Sequence, residues 1–278
     1  MYGAILGDII GAPYEFCFPR IKTKQFPLFS TSEPAEGQCW FTDDTVMTVA
    51  VADALLHHKE TPDEDLRFLL TNTMQFWGKA YPYAGYGKSF RQWLTESDPR
   101  PYGSFGNGSA MRVSPVGWMF NELYETRVMA RATAEVSHNH IEGLRGAEAV
   151  ASAIFLARDG LKKEEIADYV VQEFGYDLSE SCNEIRTYYQ FDETCQGTVP
   201  AAIRAFLDGE NFEDCIRTAV SLGGDADTLG CITGSIAEAY YGVPQNLIEE
   251  CRKRLSPDIL DVVDAFYSIL FPNEHTAR

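Results

Sequence analysis

An all-α fold is predicted for this chain of 278 residues, on three observations. Apolar residues recur at helical spacing through most of the sequence. Capping residues, prolines and glycines punctuate these runs at helix-length intervals. Strand-type alternation is almost absent. The first element is an apolar helix. The glycines and proline of Gly7-Asp8-Ile9-Ile10-Gly11-Ala12-Pro13-Tyr14-Glu15 end it and leave Glu15 on a turn. Residues 43–58 are rich in β-branched residues, but the run is too long for a strand. Val46, Ala50, Ala54 and Met47, Val51, Leu55 keep helical spacing there. Thr61-Pro62-Asp63-Glu64 reads as the next start, with Thr61 as cap, Pro62 at the first helical position and Glu64 closing a capping box. The helix it opens carries Leu66, Phe68, Leu69, Leu70, Met74 and Phe76 to about Gly78. Further helices are predicted at 122–137, 142–158, 162–173, 198–208, 211–221, 227–241 and 256–269. Gly160 is a natural stop after 142–158, and Ser256-Pro257-Asp258 repeats the cap-then-proline start. Residues 17–41, with Pro19, Pro27 and Pro34, and residues 80–108, with several prolines and glycines, are expected to be loops. Loops this long in a compact domain are often functional. There is no internal repeat, and residues 1–278 are read as a single domain with one compact core.

The composition, 45% hydrophobic and 23% charged, is that of a globular protein and excludes wholesale disorder. A net charge of −18 repels phosphate backbones and anionic membranes, which argues against generic nucleic-acid binding. It still permits a small anionic ligand in a pocket made locally cationic by bound metal. Seven cysteines, without a CxxC pair, read as reduced thiols, most of them buried, in a cytoplasmic protein. No segment reaches the ~20 apolar residues that span a bilayer. Residues 1–11 carry Asp8 and no basic start, so a signal peptide is not expected. A monomer is expected.

Thr42-Asp43-Asp44-Thr45 opens an apolar helix, and Gly223-Gly224-Asp225-Ala226-Asp227-Thr228 opens another. Each alone reads as a capped helix start, with acids at the positive end of the dipole. Together they offer four carboxylates and two hydroxyls, hard oxygen donors that Mg²⁺, Mn²⁺ or Ca²⁺ prefer. That set suits two adjacent cations sharing a carboxylate, which can orient a substrate and activate water. Whether the two loops meet in space is not written in the sequence. Glu15 is a general base or a solvated acid. Ser104-Phe105-Gly106-Asn107-Gly108 is a glycine-rich turn, continuing into Ser109-Ala110-Met111-Arg112, that can cradle a diphosphate on backbone N–H groups. Ser137-His138-Asn139-His140 reads as a helix end, with a zinc pair as the sharper alternative.

In this order, GDIIGAPYE, FTDDT, GNGSAMR, SHNH and SLGGDADTLG resemble the ADP-ribosylglycohydrolase family, from Gly3 to about Gly242. The resemblance implies an all-α orthogonal bundle around a binuclear Mg²⁺ or Mn²⁺ centre. It assigns Thr42, Asp43, Asp44, Asp225, Asp227 and Thr228 as metal ligands, with Asp227 as the shared carboxylate. It makes Glu15 a catalytic or gating acid, gives the diphosphate to Ser104, Phe105, Gly106, Asn107 and Gly108, and sets His138 near the ribose. The implied reaction removes ADP-ribose from an arginine- or serine-linked protein side chain by water attack at the anomeric carbon of the distal ribose. The residues leave two alternatives open: a hydrolase of a small ADP-ribose conjugate or nucleotide, and a non-catalytic ADP-ribose-binding module.

Overall fold

The computed structural model describes residues 1–29, 40–61 and 65–272. Among these residues there are fifteen helices and no strand. In chain order they are α1 (Tyr2–Glu15), α2 (Asp43–Glu60), α3 (Leu66–Ala80), α4 (Lys88–Trp93), α5 (Gly108–Met111), α6 (Ser114–Met119), α7 (Leu123–Glu135) and α8 (Ile141–Arg158). Then come α9 (Lys163–Phe174), α10 (Cys182–Tyr188), α11 (Cys195–Asp208), α12 (Phe212–Val220), α13 (Ala226–Tyr241), α14 (Gln245–Arg252) and α15 (Pro257–Leu270).

The centre of the fold is α13, in which every residue from Ala226 to Glu238 is buried. A helix apolar all round has to be enclosed; α1, α2, α8, α11 and α12 pack around it or around one another. The closest pairing is α1 against α13. They run antiparallel, so that Gly3 faces Gly234, Gly7 faces Gly230 and Gly11 faces Ala226. A Cβ built on Gly7 would stand 2.0 Å from the Gly230 carbonyl oxygen. Only glycine permits backbones this close. The outer helices are amphipathic. In α12, for instance, Phe212, Cys215, Ile216, Ala219 and Val220 share the buried face.

Several expectations are corrected. α1 runs through Pro13 and includes Glu15, because its packing on α13 outweighs the one hydrogen bond Pro13 cannot donate. Thr61 does not cap α3. It closes α2, its hydroxyl donating to the His57 carbonyl, and Asp65 caps α3 by accepting from Arg67 N–H. Pro62, Asp63 and Glu64 lie outside the described residues, as do Pro34 and Cys39. α3 buries Leu70, Met74 and Trp77 and leaves Phe68 and Phe76 exposed. Residues 80–108 are not all loop: α4 forms there and buries Phe90 and Trp93. It is too short for periodicity to reveal, as are α6, α10 and α14. Of the six described cysteines, five are buried and Cys17 is exposed, all as free thiols.

Candidate active site

The α1–α13 seam sets the site. Because the helices are antiparallel and in contact along the glycines, the end of α1 meets the start of α13. Glu15 closes α1, Asp225 immediately precedes α13 with its side chain free of any capping bond, and Asp227 lies in the first turn. Carboxylate oxygens of Glu15, Asp225 and Asp227 all lie within 4.8 Å of one another. The start of α2 joins them. Thr228 Oγ1 donates to Asp44 Oδ2 at 3.3 Å, and Thr42 Oγ1 lies 3.4 Å from the same oxygen. Thus Thr42-Asp43-Asp44 and Asp225-Asp227-Thr228, with Asp44 and Thr228 184 residues apart in sequence, form one cluster with Glu15. All seven residues line a cavity of about 770 Å³.

The same cavity is also lined by Ser104, Phe105, Gly106, Asn107, Gly108 and His138. The turn is braced from behind: Asn107 N–H donates to Glu193 O at 2.8 Å, and Cys195 N–H to Phe105 O at 2.9 Å. The Asn107 side chain is committed to the acid cluster. Its Nδ2 donates to Asp225 Oδ2 at 2.6 Å and to Thr198 Oγ1 at 3.0 Å. Since the Thr198 hydroxyl itself donates to Asp192 O, it has only acceptor capacity left for the amide, which fixes the amide's orientation. His138 is buried, with Nδ1 2.8 Å from Ser137 Oγ and Nε2 turned toward Gly108. His140 instead caps α8, accepting from Glu142 N–H.

This geometry has relatives. Residues 1–275 match the ADP-ribosylglycohydrolase family. The chain belongs to that family. Its relatives include ADP-ribosylhydrolase ARH3 of Mus musculus, 27% identical over 93% of this chain and 88% of the relative. ADP-ribosylarginine hydrolase Tri1 of Pseudomonas putida is 25% identical, over 87% and 70% respectively. A solved structure described as an ADP-ribosylglycohydrolase-related protein complex superposes with a TM-score of 0.66 at 24% identity, covering 97% of both chains, and shares the fold.

In this ADP-ribosylglycohydrolase-family chain the crowded acids hold their protons tightly. Burial, then Asp225 and Asp43, pushes Glu15 up to about 8. Burial and then Asp8 push Asp43 up to about 7. Asp44 and Asp227 are driven well above the ordinary carboxylate range by burial and then by neighbouring carboxylates. His138 is pushed the other way, well below its usual value, by burial and then by Arg112, so its imidazole is neutral. The buried Arg112 guanidinium donates to Ser137 Oγ and to Thr133 O, which holds Ser137 beneath His138.

One member of the site was missed as a functional residue. Asp8, fully buried in mid-α1, accepts from Thr42 N–H at 2.9 Å, Thr42 Oγ1 at 2.8 Å, Thr45 N–H at 3.1 Å and Thr45 Oγ1 at 2.5 Å. It caps α2 from another helix and so aims Asp43 and Asp44 at the cluster. The signal was present: Asp8 is the sole charged residue in the first fourteen, on a helix otherwise apolar. Asp8→Ala strands two backbone donors at the helix start. It is expected to cost roughly 2–4 kcal/mol, a drop of roughly 5–10 °C in Tm in a chain this size. Unchanged thermal unfolding would refute the anchoring role.

Proposed function

We propose that the chain is a metal-dependent hydrolase that releases ADP-ribose from a modified protein side chain, through an arginine or serine linkage. The observation that carries the reading is the convergence of Glu15, Asp225 and Asp227 with the start of α2 on one wall of the cavity. The names of the relatives ARH3 and Tri1 support the same chemistry.

The donors fit divalent cations. They are all hard oxygens, as Mg²⁺ and Mn²⁺ prefer. Asp44 Oδ1 is buried with no hydrogen-bond partner among the described residues, and a buried carboxylate oxygen left so is costly. Thr42, Asp43, Asp44, Asp225, Asp227 and Thr228 would hold two such ions. When bound, the ions would supply Lewis acidity to the distal ribose and to the attacking water. Ser104 to Gly108 would face the diphosphate, Phe105 and Gly108 offering backbone N–H groups, and neutral His138 would hydrogen-bond near the ribose. Asn107 would keep Asp225 turned to the cluster. Glu15 would take the proton of the attacking water. Water oxygen then bonds to the anomeric carbon, the bond from that carbon to the acceptor nitrogen or oxygen breaks, and the proton passes to the departing acceptor. Charge development at the sugar has the oxocarbenium character common to glycoside hydrolysis. A carboxyl near 8 in the cation-free site falls toward neutrality once positive charge is added beside it, where general-base action is most effective.

The direct test is ADP-ribose release from arginine-linked and serine-linked modified proteins with Mg²⁺, Mn²⁺ or chelator. Release that requires a cation names the linkage. Release from small conjugates alone would limit the substrate, and ADP-ribose binding without release would make the chain a binding module.

The same cluster predicts a pH dependence. Asp and Glu titrate near 4 in the unfolded chain. Below that pH both states are protonated, and the shifts contribute nothing. Above it the folded cluster keeps protons that the unfolded chain releases, so stability falls with rising pH until Asp43 near 7 and Glu15 near 8 have ionised. The cation-free protein is expected to melt lower at pH 8 than at pH 5.5, and saturating Mg²⁺ is expected to flatten the slope and release protons on binding. A Tm difference unaffected by Mg²⁺ would contradict it.

A further inference from the structure

A second cavity, of about 430 Å³, lies between α10, α11 and the segment 189–192. Phe191 lines both it and the acid-walled cavity, so the two adjoin. Its walls differ in kind. Ile185, Pro200 and Ala201 give it apolar lining, and Tyr188, Tyr189 and Phe191 line it as well. Asp177, Glu180 and Asp192 supply negative charge at the same pocket. Each carboxylate has a local hydrogen bond: Asp177 from Ser179 N–H, Glu180 from the Tyr188 hydroxyl, Asp192 from Thr194. None of the three is in an ion pair with a described residue. Those bonds hold the acids in place without neutralising them, and the nearest cation at a lining ring, Arg20, lies over Phe191 at 5.8 Å.

We infer that this pocket binds a lysine or arginine side chain of the modified protein, at a position flanking the residue that carries ADP-ribose. The inference rests on the hydrolase reading for its substrate and on the pocket for its chemistry. An aliphatic stem ending in a cation matches a lining that combines apolar side chains, aromatic rings and carboxylates. A neutral or acidic side chain leaves the three charges unmatched. The pocket therefore gives the enzyme a preference among acceptor sequences that the metal-side residues, which meet only ADP-ribose, do not supply.

The test uses the full chain and paired synthetic peptides, each bearing one ADP-ribosyl group in the linkage that is cleaved. Lysine or arginine is placed at successive flanking positions in one series and alanine in the other. A small ADP-ribose conjugate without peptide serves as reference. Wild type is expected to favour the best basic peptide about tenfold in kcat/KM, mostly through KM, as partly exposed charge pairs and one cation–π contact allow. Asp177→Asn with Glu180→Gln should reduce that preference to near one, leaving the reference conjugate unchanged because neither residue lines the acid-walled cavity. The preference should fall with salt. Hydrolysis of both series at equal rates, or a preference that survives the double substitution, overturns the pocket and leaves the hydrolase intact. No release from any substrate, with the basic peptide still binding in a manner that needs Asp177 and Glu180, overturns the hydrolase and leaves the pocket. Neither release nor binding overturns both.

Discussion

Asp227→Ala is expected to lower metal-dependent ADP-ribose release by on the order of 10²- to 10⁴-fold. Lewis-acid stabilisation of a transition state is worth several kcal/mol, at about 1.36 kcal/mol for each factor of ten. Asp227 is placed to carry that loss. It stands in the first turn of α13, four per cent exposed, beside the carboxylates of Asp225, Glu15 and Asp44. Removing it takes away one of the four carboxylates that would hold the proposed cations. Folding should not suffer. In the cation-free protein burial, and then the neighbouring carboxylates, disfavour an ionised Asp227, and deleting it removes that cost. The expected signature is thus an inactive protein whose cation-free Tm is equal to or above that of wild type, and which gains little Tm from Mg²⁺. Full metal-dependent release by Asp227→Ala would remove Asp227 from the mechanism. Loss of activity together with a large fall in cation-free Tm would mean misfolding, and Asp227→Asn, which keeps the volume, would then decide between the two.

Much of this arrangement was readable before any coordinates. The long helices carry many turns of apolar periodicity, and their caps are chemical, so α2, α8, α13 and α15 fall close to their predicted spans. What was lost is short or non-local. α4 and α10 have too few residues for a period, and their stability comes from burying Phe90, Trp93, Cys182 and Ile185 against distant segments. The end of α1 was misplaced because proline chemistry is local, whereas the contact that overrides it lies on α13, more than 200 residues away.

The site divides along the same line. Thr42-Asp43-Asp44 and Asp225-Asp227-Thr228 announce themselves by composition, but their meeting depends on Asp8 and on the glycine seam. Neither makes a motif that names chemistry. Asn107 illustrates the limit. In sequence it belongs to a glycine-rich turn suited to phosphate, and in the folded chain its amide serves Asp225. A side chain with two donors can face either wall of a cavity, and only the position of its acceptors settles which. Gly7 and Gly11 read in sequence as part of a helix end, whereas in the fold Gly3, Gly7 and Gly11 recur every fourth residue along the face that meets α13.

That period leads to the second large effect. In the interior of an isolated helix, alanine in place of glycine stabilises by roughly 0.5–1 kcal/mol. Gly7→Ala should do the reverse. The new Cβ would sit 2.0 Å from the Gly230 carbonyl oxygen and 2.1 Å from its carbon, backbone atoms that no rotamer change can move. The helices have to separate, and α13 is enclosed on every side by core. Overpacking of this kind costs about 1–3 kcal/mol or more, enough to exceed the propensity gain and lower Tm by several degrees. Separation also moves Asp8, and with it the start of α2, away from Asp225 and Asp227, so Mn²⁺ affinity is expected to weaken by roughly 10- to 100-fold, as when partners that orient a metal's ligands are disturbed. Gly87→Ala is the matched control: nothing lies within 4 Å of its added Cβ and its φ is −57°, so its Tm should stay near wild type. The sign of the Gly7→Ala effect decides the matter. A higher Tm with unaltered Mn²⁺ binding would mean that the helices do not touch there, and the account of how the acids are brought together would fail with the seam.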